Sequence, residues 1–189
     1  MCYLNEREVV QMKELETEQL LLRKYKEEDY KEIYENLTKE GKAQKCIGYP
    51  VHQNVDETKK MVNSFVKEFE LGEPIWAMEE KETHQIIGFI QVTELSKQNQ
   101  RCEINFGMMK EKINYISAEA AIKTTISYLQ EEGYQLVISK FYDENEEWTK
   151  IKSEILEKAG MKKEAILKDR KIDRLTGKKE NYLIYSTIK

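Results

Sequence analysis

The sequence predicts a mixed α/β fold: a central, mostly antiparallel sheet of about seven strands with helices on both faces. Three observations predict it. Apolar residues switch between a spacing of three and four, which is helical, and unbroken or alternating runs, which are strand-like. Three strand-like runs between residues 75 and 109 follow one another with only short polar turns, the pattern of an antiparallel meander. After the meander, helical and strand-like segments alternate, which demands crossovers and so a mixed sheet. The 189 residues suit one domain. They divide into an N-terminal extension, residues 1–14, and a single domain, residues 15–189.

Taken in order, residues 1–14 are polar with a few apolar positions and read as an extension or short helix. Residues 20–25 read as a strand. Glu27, Glu28 and Asp29 then open a helix whose dipole they complement. Tyr30, Ile33, Tyr34 and Leu37 continue it at helical spacing to about Gly41. Gly48-Tyr49-Pro50 marks a loop. Met61, Val62, Phe65, Val66 and Phe69 define a second helix, with Asp56 as its cap and Gly72 and Pro74 at its end. The meander follows as strands 75–79, 85–95 and 101–109. A helix over 117–130 carries Ile122, Ile126 and Leu129 on one face, and Gly133 closes it. Strand 134–142 has an unbroken apolar centre, Leu136-Val137-Ile138, as a buried strand should. Trp148, Ile151, Ile155 and Leu156 set a last helix that stops at Gly160. Strands 161–172 and 180–188 finish the chain, joined by a turn at Leu175-Thr176-Gly177.

Bulk properties exclude several classes of function. The formal net charge is −4, against the basic excess of a dedicated nucleic-acid binder. No apolar run approaches the roughly 18 residues a membrane helix needs, and residues 1–11 hold no apolar signal-peptide core. These features predict a cytoplasmic protein with no membrane partner. Cys2, Cys46 and Cys102 are too few and too widely spaced for a disulfide framework or a metal motif. With His52 and His84 the only histidines, no metal site is expected.

Local wording narrows the fold. Glu16-Thr17-Glu18-Gln19-Leu20-Leu21-Leu22-Arg23 resembles the opening ETERLxLR of the GNAT (Gcn5-related N-acetyltransferase) superfamily, in its RimJ/RimL-like branch. Trp76-Ala77-Met78 with Gln85-Ile86-Ile87-Gly88-Phe89-Ile90 resembles WAI…xxIGxI. Glu103-Ile104-Asn105-Phe106-Gly107-Met108 resembles AEIGYWL, and Ser117-Ala118-Glu119-Ala120 resembles ATEA. Asp143-Glu144-Asn145 resembles DPEN, and Leu156-Glu157-Lys158-Ala159-Gly160-Met161 resembles LEKAGF. The six matches keep the family's order over nearly the whole chain.

The resemblance implies an acetyl-CoA-dependent N-acetyltransferase that moves an acetyl group to a primary amine, a protein N-terminus or a small amine, by direct attack. It places acetyl-CoA where the strands around 102–109 and 134–142 part. Phe106, Gly107 and Met108 then hold the pantetheine arm, and the Met108 N–H polarises the thioester carbonyl. The pyrophosphate falls on the helix N-terminus, at Asn114, Tyr115, Ile116, Ser117 and Ala118. Lys112 takes the Gln/Arg place of the family's Q/R-x-x-G-x-G/A loop. The chain departs from that loop: Tyr115 stands at the first conserved Gly, and no glycine lies between Gly107 and Gly133. Asn114-Tyr115 stands in for the common Gly-Tyr pair if one residue is inserted, because Asn tolerates left-handed geometry. Lys110 and Lys112 either add positive charge at the site or form a solvated loop.

The same resemblance assigns Glu103 as general base, the other reading being an outward charge on an exposed strand edge. Asn145 is either a contact to the cofactor arm or a helix N-cap; its interval to Gly160 is four residues longer than in the family, about one helical turn. The family's thiol proton donor is a Tyr where this chain has Leu156, which leaves Tyr142 and Ser153 as substitutes by proximity. The loop glycines missing here keep a second function open, a catalytically inactive GNAT-fold binding module. A monomer and a homodimer both remain open, and the acceptor amine has no readable code. Lys168, Arg170, Lys171, Arg174, Lys178 and Lys179 make the last hairpin basic, which reads either as a solvated face or as a surface for an acidic partner.

Overall fold

The computed structural model describes residues 12–42, 48–112, 114–173 and 177–188. Cys2, Cys46, Arg174, Leu175 and Thr176 lie outside the described residues, as does most of the N-terminal extension. One sheet of eight strands runs through the described residues in the order β1-β2-β3-β4-β5-β6-β8-β7. The strands are β1 (Leu15–Glu16), β2 (Leu20–Lys24), β3 (Ile75–Glu80), β4 (Ile86–Ser96), β5 (Arg101–Met108), β6 (Leu136–Tyr142), β7 (Lys162–Ile172) and β8 (Lys179–Ser186). Every pairing is antiparallel except β5 with β6. The eighth strand, β1, is two residues that pair Leu15 with Leu22 and Glu16 with Leu21. A segment that short has no period to read.

The helices are α1 (Tyr30–Ile33), α2 (Val55–Glu70), α3 (Tyr115–Glu131) and α4 (Glu146–Lys158). The single helix expected from Glu27 to about Gly41 is instead a 3-10 turn at Glu27–Asp29, the short α1, and a π-helical turn at Tyr34–Thr38. Two buried attachments account for its irregularity. Asp29 turns inward to Arg23 and also accepts the Lys26 N–H at 2.8 Å, tightening the first turn. At the far end the buried Thr38 hydroxyl bonds to that of Thr58 on α2 at 2.8 Å. Helices α2, α3 and α4 begin at Asn N-caps. Asn54, Asn114 and Asn145 each accept a backbone N–H, from Glu57, Ile116 and Trp148 respectively. The caps start α3 and α4 two residues before the positions from which the sequence predicts them.

Two cores flank the sheet. One, beneath α3 and α4, is built from residues such as Leu22, Trp76, Ile104, Phe106, Ile122, Val137 and Leu156. The other, beneath α1 and α2, holds Tyr25, Ile33, Val62, Ala77 and Phe89. Met12 joins the first core, and the Trp76 indole donates to the Lys13 carbonyl at 3.0 Å, so the end of the extension is tied to the domain.

Candidate active site

The one parallel pairing between strands of the sheet is short. β5 and β6 register Arg101 with Leu136, Cys102 with Val137 and Glu103 with Ile138, and there the pairing stops. Beyond it β5 stays on β4 as far as Met108, while β6 turns to β8 between Ile138 and Tyr142. The two strands therefore open a split whose sides are residues 104–108 and 139–142. The Met109 N–H donates to the Ile87 carbonyl at 2.8 Å. Bonds in an antiparallel ladder alternate, so the N–H groups of Met108 and Phe106 turn away from β4 and toward the split. The Asn105 side chain takes the Phe106 N–H at 2.9 Å. Gly88 holds β5 in place by having no side chain: a Cβ there would stand 2.4 Å from the Gly107 carbonyl oxygen.

The two faces of the split differ in chemistry. By strand alternation Glu103 lies on the α1–α2 face, together with Lys140 and Tyr142 of β6. The Lys140 ammonium forms an ion pair with the Glu103 carboxylate, whose side chain is 16% exposed. Tyr142 packs against Tyr182 of β8, ring centroids 4.6 Å apart. Burial raises the Tyr182 pKa, and the nearby Lys140 charge works against that rise. Gly48 covers the same face; a Cβ on it would come within 3.4 Å of the Gly107 Cα.

On the opposite face α4 lies over Phe106 and Phe141. The Lys152 ammonium sits 5.5 Å from both ring centroids, bridging the two strands that have parted. The residue as a whole is half-buried; the burial of its ammonium brings its pKa down to about 8, with Glu144 acting in the opposite sense. One turn earlier on the same helix face, the buried Thr149 hydroxyl has no hydrogen-bond partner among the described residues.

At the open end of β5 stands the N-terminus of α3. Asn114 caps it with its side-chain oxygen on the Ile116 N–H at 3.0 Å, and the Ala118 N–H bonds to the Asn114 carbonyl at 2.9 Å. Gln19, in the turn between β1 and β2, takes hydrogen bonds from the Asn114 amide at 3.3 Å and from the Ser117 hydroxyl. Lys112 is paired with Glu80 at 2.9 Å. The Lys158 ammonium lies 4.9 Å above the Tyr115 ring.

The acetyltransferase (GNAT) domain family matches residues 19–162, which include both strands of the split and all of α3 and α4. The chain belongs to the GNAT acetyltransferase family. A curated relative is the uncharacterized N-acetyltransferase YoaA of Bacillus subtilis, 23% identical over 156 residues, which span 82% of this chain and 85% of that protein. Among solved structures, a GNAT-family acetyltransferase from Bacillus anthracis superposes with a TM-score of 0.70 at 20% identity, covering 92% of this chain and 97% of the other. RimL, a ribosomal L7/L12 alpha-N-protein acetyltransferase solved with coenzyme A, superposes with a TM-score of 0.74 at 14% identity, covering 93% and 98%.

Within this GNAT domain the residues singled out from the sequence fall into three groups. Phe106, Gly107 and Met108 line the split, and Glu103 sits at the last paired position just before it opens. Lys112, Asn114, Tyr115, Ile116, Ser117 and Ala118 gather at the start of α3; of these Ser117 and Ala118 are buried, while Ile116 is exposed. Tyr142 belongs to the β6 side of the split, while Asn145 and Ser153 belong to α4. Asn145 is the N-cap of α4, its oxygen 3.1 Å from the Trp148 N–H. Tyr142 ends β6 on the Glu103 face, and Ser153 lies half-buried on α4. Sequence reasoning missed Lys140, Lys152 and Gln19. Only Lys152 carried a signal: it stands four residues after Trp148 and three before Ile155, a charge inside the apolar stripe of α4.

No helix among the described residues is long and apolar enough to cross a membrane.

Proposed function

We propose that this GNAT acetyltransferase takes acetyl-CoA as its acyl donor and passes the acetyl group to a primary amine, either a protein N-terminus or a small amine. The observation that carries the reading is the split itself, with the Met108 N–H turned into it and the α3 N-terminus at its open end. The unpartnered Thr149 hydroxyl on α4 fits a polar arm entering beside that helix. The likeness to RimL, solved with coenzyme A, supports the choice of donor. That RimL is an alpha-N-protein acetyltransferase of ribosomal L7/L12 supports an N-terminal amine as one acceptor class.

In this reading acetyl-CoA supplies the activated acyl group. Phe106, Gly107 and Met108 align its arm, and the Met108 N–H donates to the thioester oxygen as negative charge develops there. Asn114, Tyr115, Ile116, Ser117 and Ala118 present the helix N-terminus to the pyrophosphate. Glu103 takes the proton of the attacking amine, and its ion pair with Lys140 fixes where the carboxylate points. Tyr142 and Ser153 remain as proton donors by proximity, and Asn145 contributes by starting α4 where it does.

A specific observation keeps the binding-module reading in play. Lys112 is engaged by Glu80, and Gln19 already holds Asn114 and Ser117. Calorimetric titration with acetyl-CoA separates the two readings. One micromolar site per chain is the expected outcome; no heat up to millimolar acetyl-CoA overturns the transferase and favours the module. With an acceptor in hand from an amine screen, Glu103→Gln should cut turnover by about 10²-fold or more. Unchanged turnover would remove Glu103 from the mechanism.

A further inference from the structure

Lys152 is conspicuous for what surrounds it. Its ammonium is held over Phe106 of β5 and Phe141 of β6, 5.5 Å from each ring centroid, at the place where those strands separate. No hydrogen bond or ion pair holds it among the described residues. Other interior-facing cations here are held: Arg23 by Asp29 and Glu79, and Lys140 by Glu103. A desolvated ammonium without a counter-ion is destabilised relative to the neutral amine. Glu144 acts to raise its pKa, and burial outweighs Glu144, leaving the pKa at about 8. At pH 8 about half of such a side chain is neutral, against about one part in 250 for an ordinary lysine with a pKa near 10.4. A lysine desolvated in an apolar pocket is an activated nucleophile.

We propose that Lys152 is a self-acetylation site: its side-chain amine, placed between Phe106 and Phe141 in the β5–β6 split, accepts the acetyl group from acetyl-CoA bound there. The inference rests on the split being the acetyl-CoA site. The neutral Nζ attacks the thioester carbonyl carbon. A C–N amide bond forms and the C–S bond breaks. Coenzyme A leaves with the electron pair on sulfur, and the proton lost from nitrogen ends on that sulfur. No further reactant is needed. The product is Nε-acetyl-Lys152, an uncharged amide lodged between the two strands. It no longer costs the burial of a charge, and it fills space that the donor's arm requires. Self-acetylation thus shuts the split of any chain that binds acetyl-CoA with no acceptor amine present.

The test needs no knowledge of the natural acceptor. Purified full-length protein is incubated at pH 8 with acetyl-CoA, followed by intact-protein and peptide mass spectrometry, with calorimetry on the same preparation. The expected result is one acetyl group per chain, at Lys152, added at least about 10-fold faster than to any exposed lysine. Excess free coenzyme A should slow it, and the modified protein should have lost its acetyl-CoA heat. Lys152→Arg, which keeps the cation and its packing, should bind acetyl-CoA and stay unmodified at that position. Acetyl-CoA binding with Lys152 unlabelled, or labelling spread evenly over surface lysines and indifferent to coenzyme A, overturns this inference and leaves the transferase reading standing. Absence of acetyl-CoA binding overturns both.

Discussion

Arg23 and Lys152 are both cations turned into the domain, and the fold treats them in opposite ways. Arg23, 6% exposed, meets Asp29 through two nitrogens at 2.8 and 3.1 Å and meets Glu79 through Nε. Burial by itself would lower its pKa, but those carboxylates more than reverse the effect and raise it. The group ties β2 to β3 and to the start of α1. Lys152 has two ring faces in place of carboxylates, and burial prevails. The contrast teaches how to read interior charge. Matched on every side, it holds elements together; left unmatched, it marks a place to test for chemistry.

The sharpest way to break the comparison is to delete each cation in the same manner. Arg23→Met strands Asp29 and Glu79 without their partner and should cost about 3–5 kcal/mol in urea unfolding. A loss below about 1 kcal/mol would put the network in the class of surface ion pairs. Next in size is Gly88→Ala, which drives a methyl group into the Gly107 carbonyl and pushes β5 off β4. It should cost about 1–3 kcal/mol and weaken acetyl-CoA binding, because Gly107 and Met108 move with the strand. Retained binding would show that the split tolerates displacement of β5.

Acid sharpens the Arg23 side. Burial tends to raise the Glu79 pKa, but hydrogen bonds from Arg23 and His84, together with their charges, hold it below the ordinary carboxylate value. A depressed carboxylate contributes stability that is present above its unfolded pKa and lost as pH falls through its folded pKa. Stability should therefore decline as pH drops below about 4, and that limb should flatten in Arg23→Met. An identical acid limb in both proteins would take Glu79 out of the account. The smallest effect belongs to Lys152→Met, which leaves no carboxylate behind. Stability should stay level or rise by about 1 kcal/mol; a fall beyond about 2 kcal/mol would make Lys152 a structural residue like Arg23.

Much of this was legible from residues alone. The seven longer strands and the helices from α2 onward carry clear periods, and a cap at Asn145 is one of the two readings of that residue. Two other readings need correction: Asn114, expected as a left-handed stand-in for glycine, is an extended N-cap, and α2 is capped by Asn54 rather than Asp56. The irregular first helix was not legible, because its turns are set by Asp29 and Thr38 reaching partners at Arg23 and Thr58. The site was legible as a neighbourhood and not as a set of contacts. Glu103 and Met108 were named from the sequence, yet the partner of Glu103 is 37 residues away, and the direction of the Met108 N–H depends on register with β4. Lys112, read either as positive charge at the phosphate loop or as part of a solvated loop, is bonded to Glu80, 32 residues away, a contact no local pattern announces.

The sequence by itself determined the order and kind of the elements and the family, because hydrophobic period, caps and local motifs are written over a few consecutive residues. Tertiary structure alone decided where β5 and β6 part, which carboxylate meets which cation, and which lysine is left between two aromatic rings. Those outcomes depend on strand register and helix packing, which bring together residues far apart in the chain; a charge inside an apolar stripe marks Lys152 in the sequence, but the partners it meets after folding leave no pattern in the residues on either side of it.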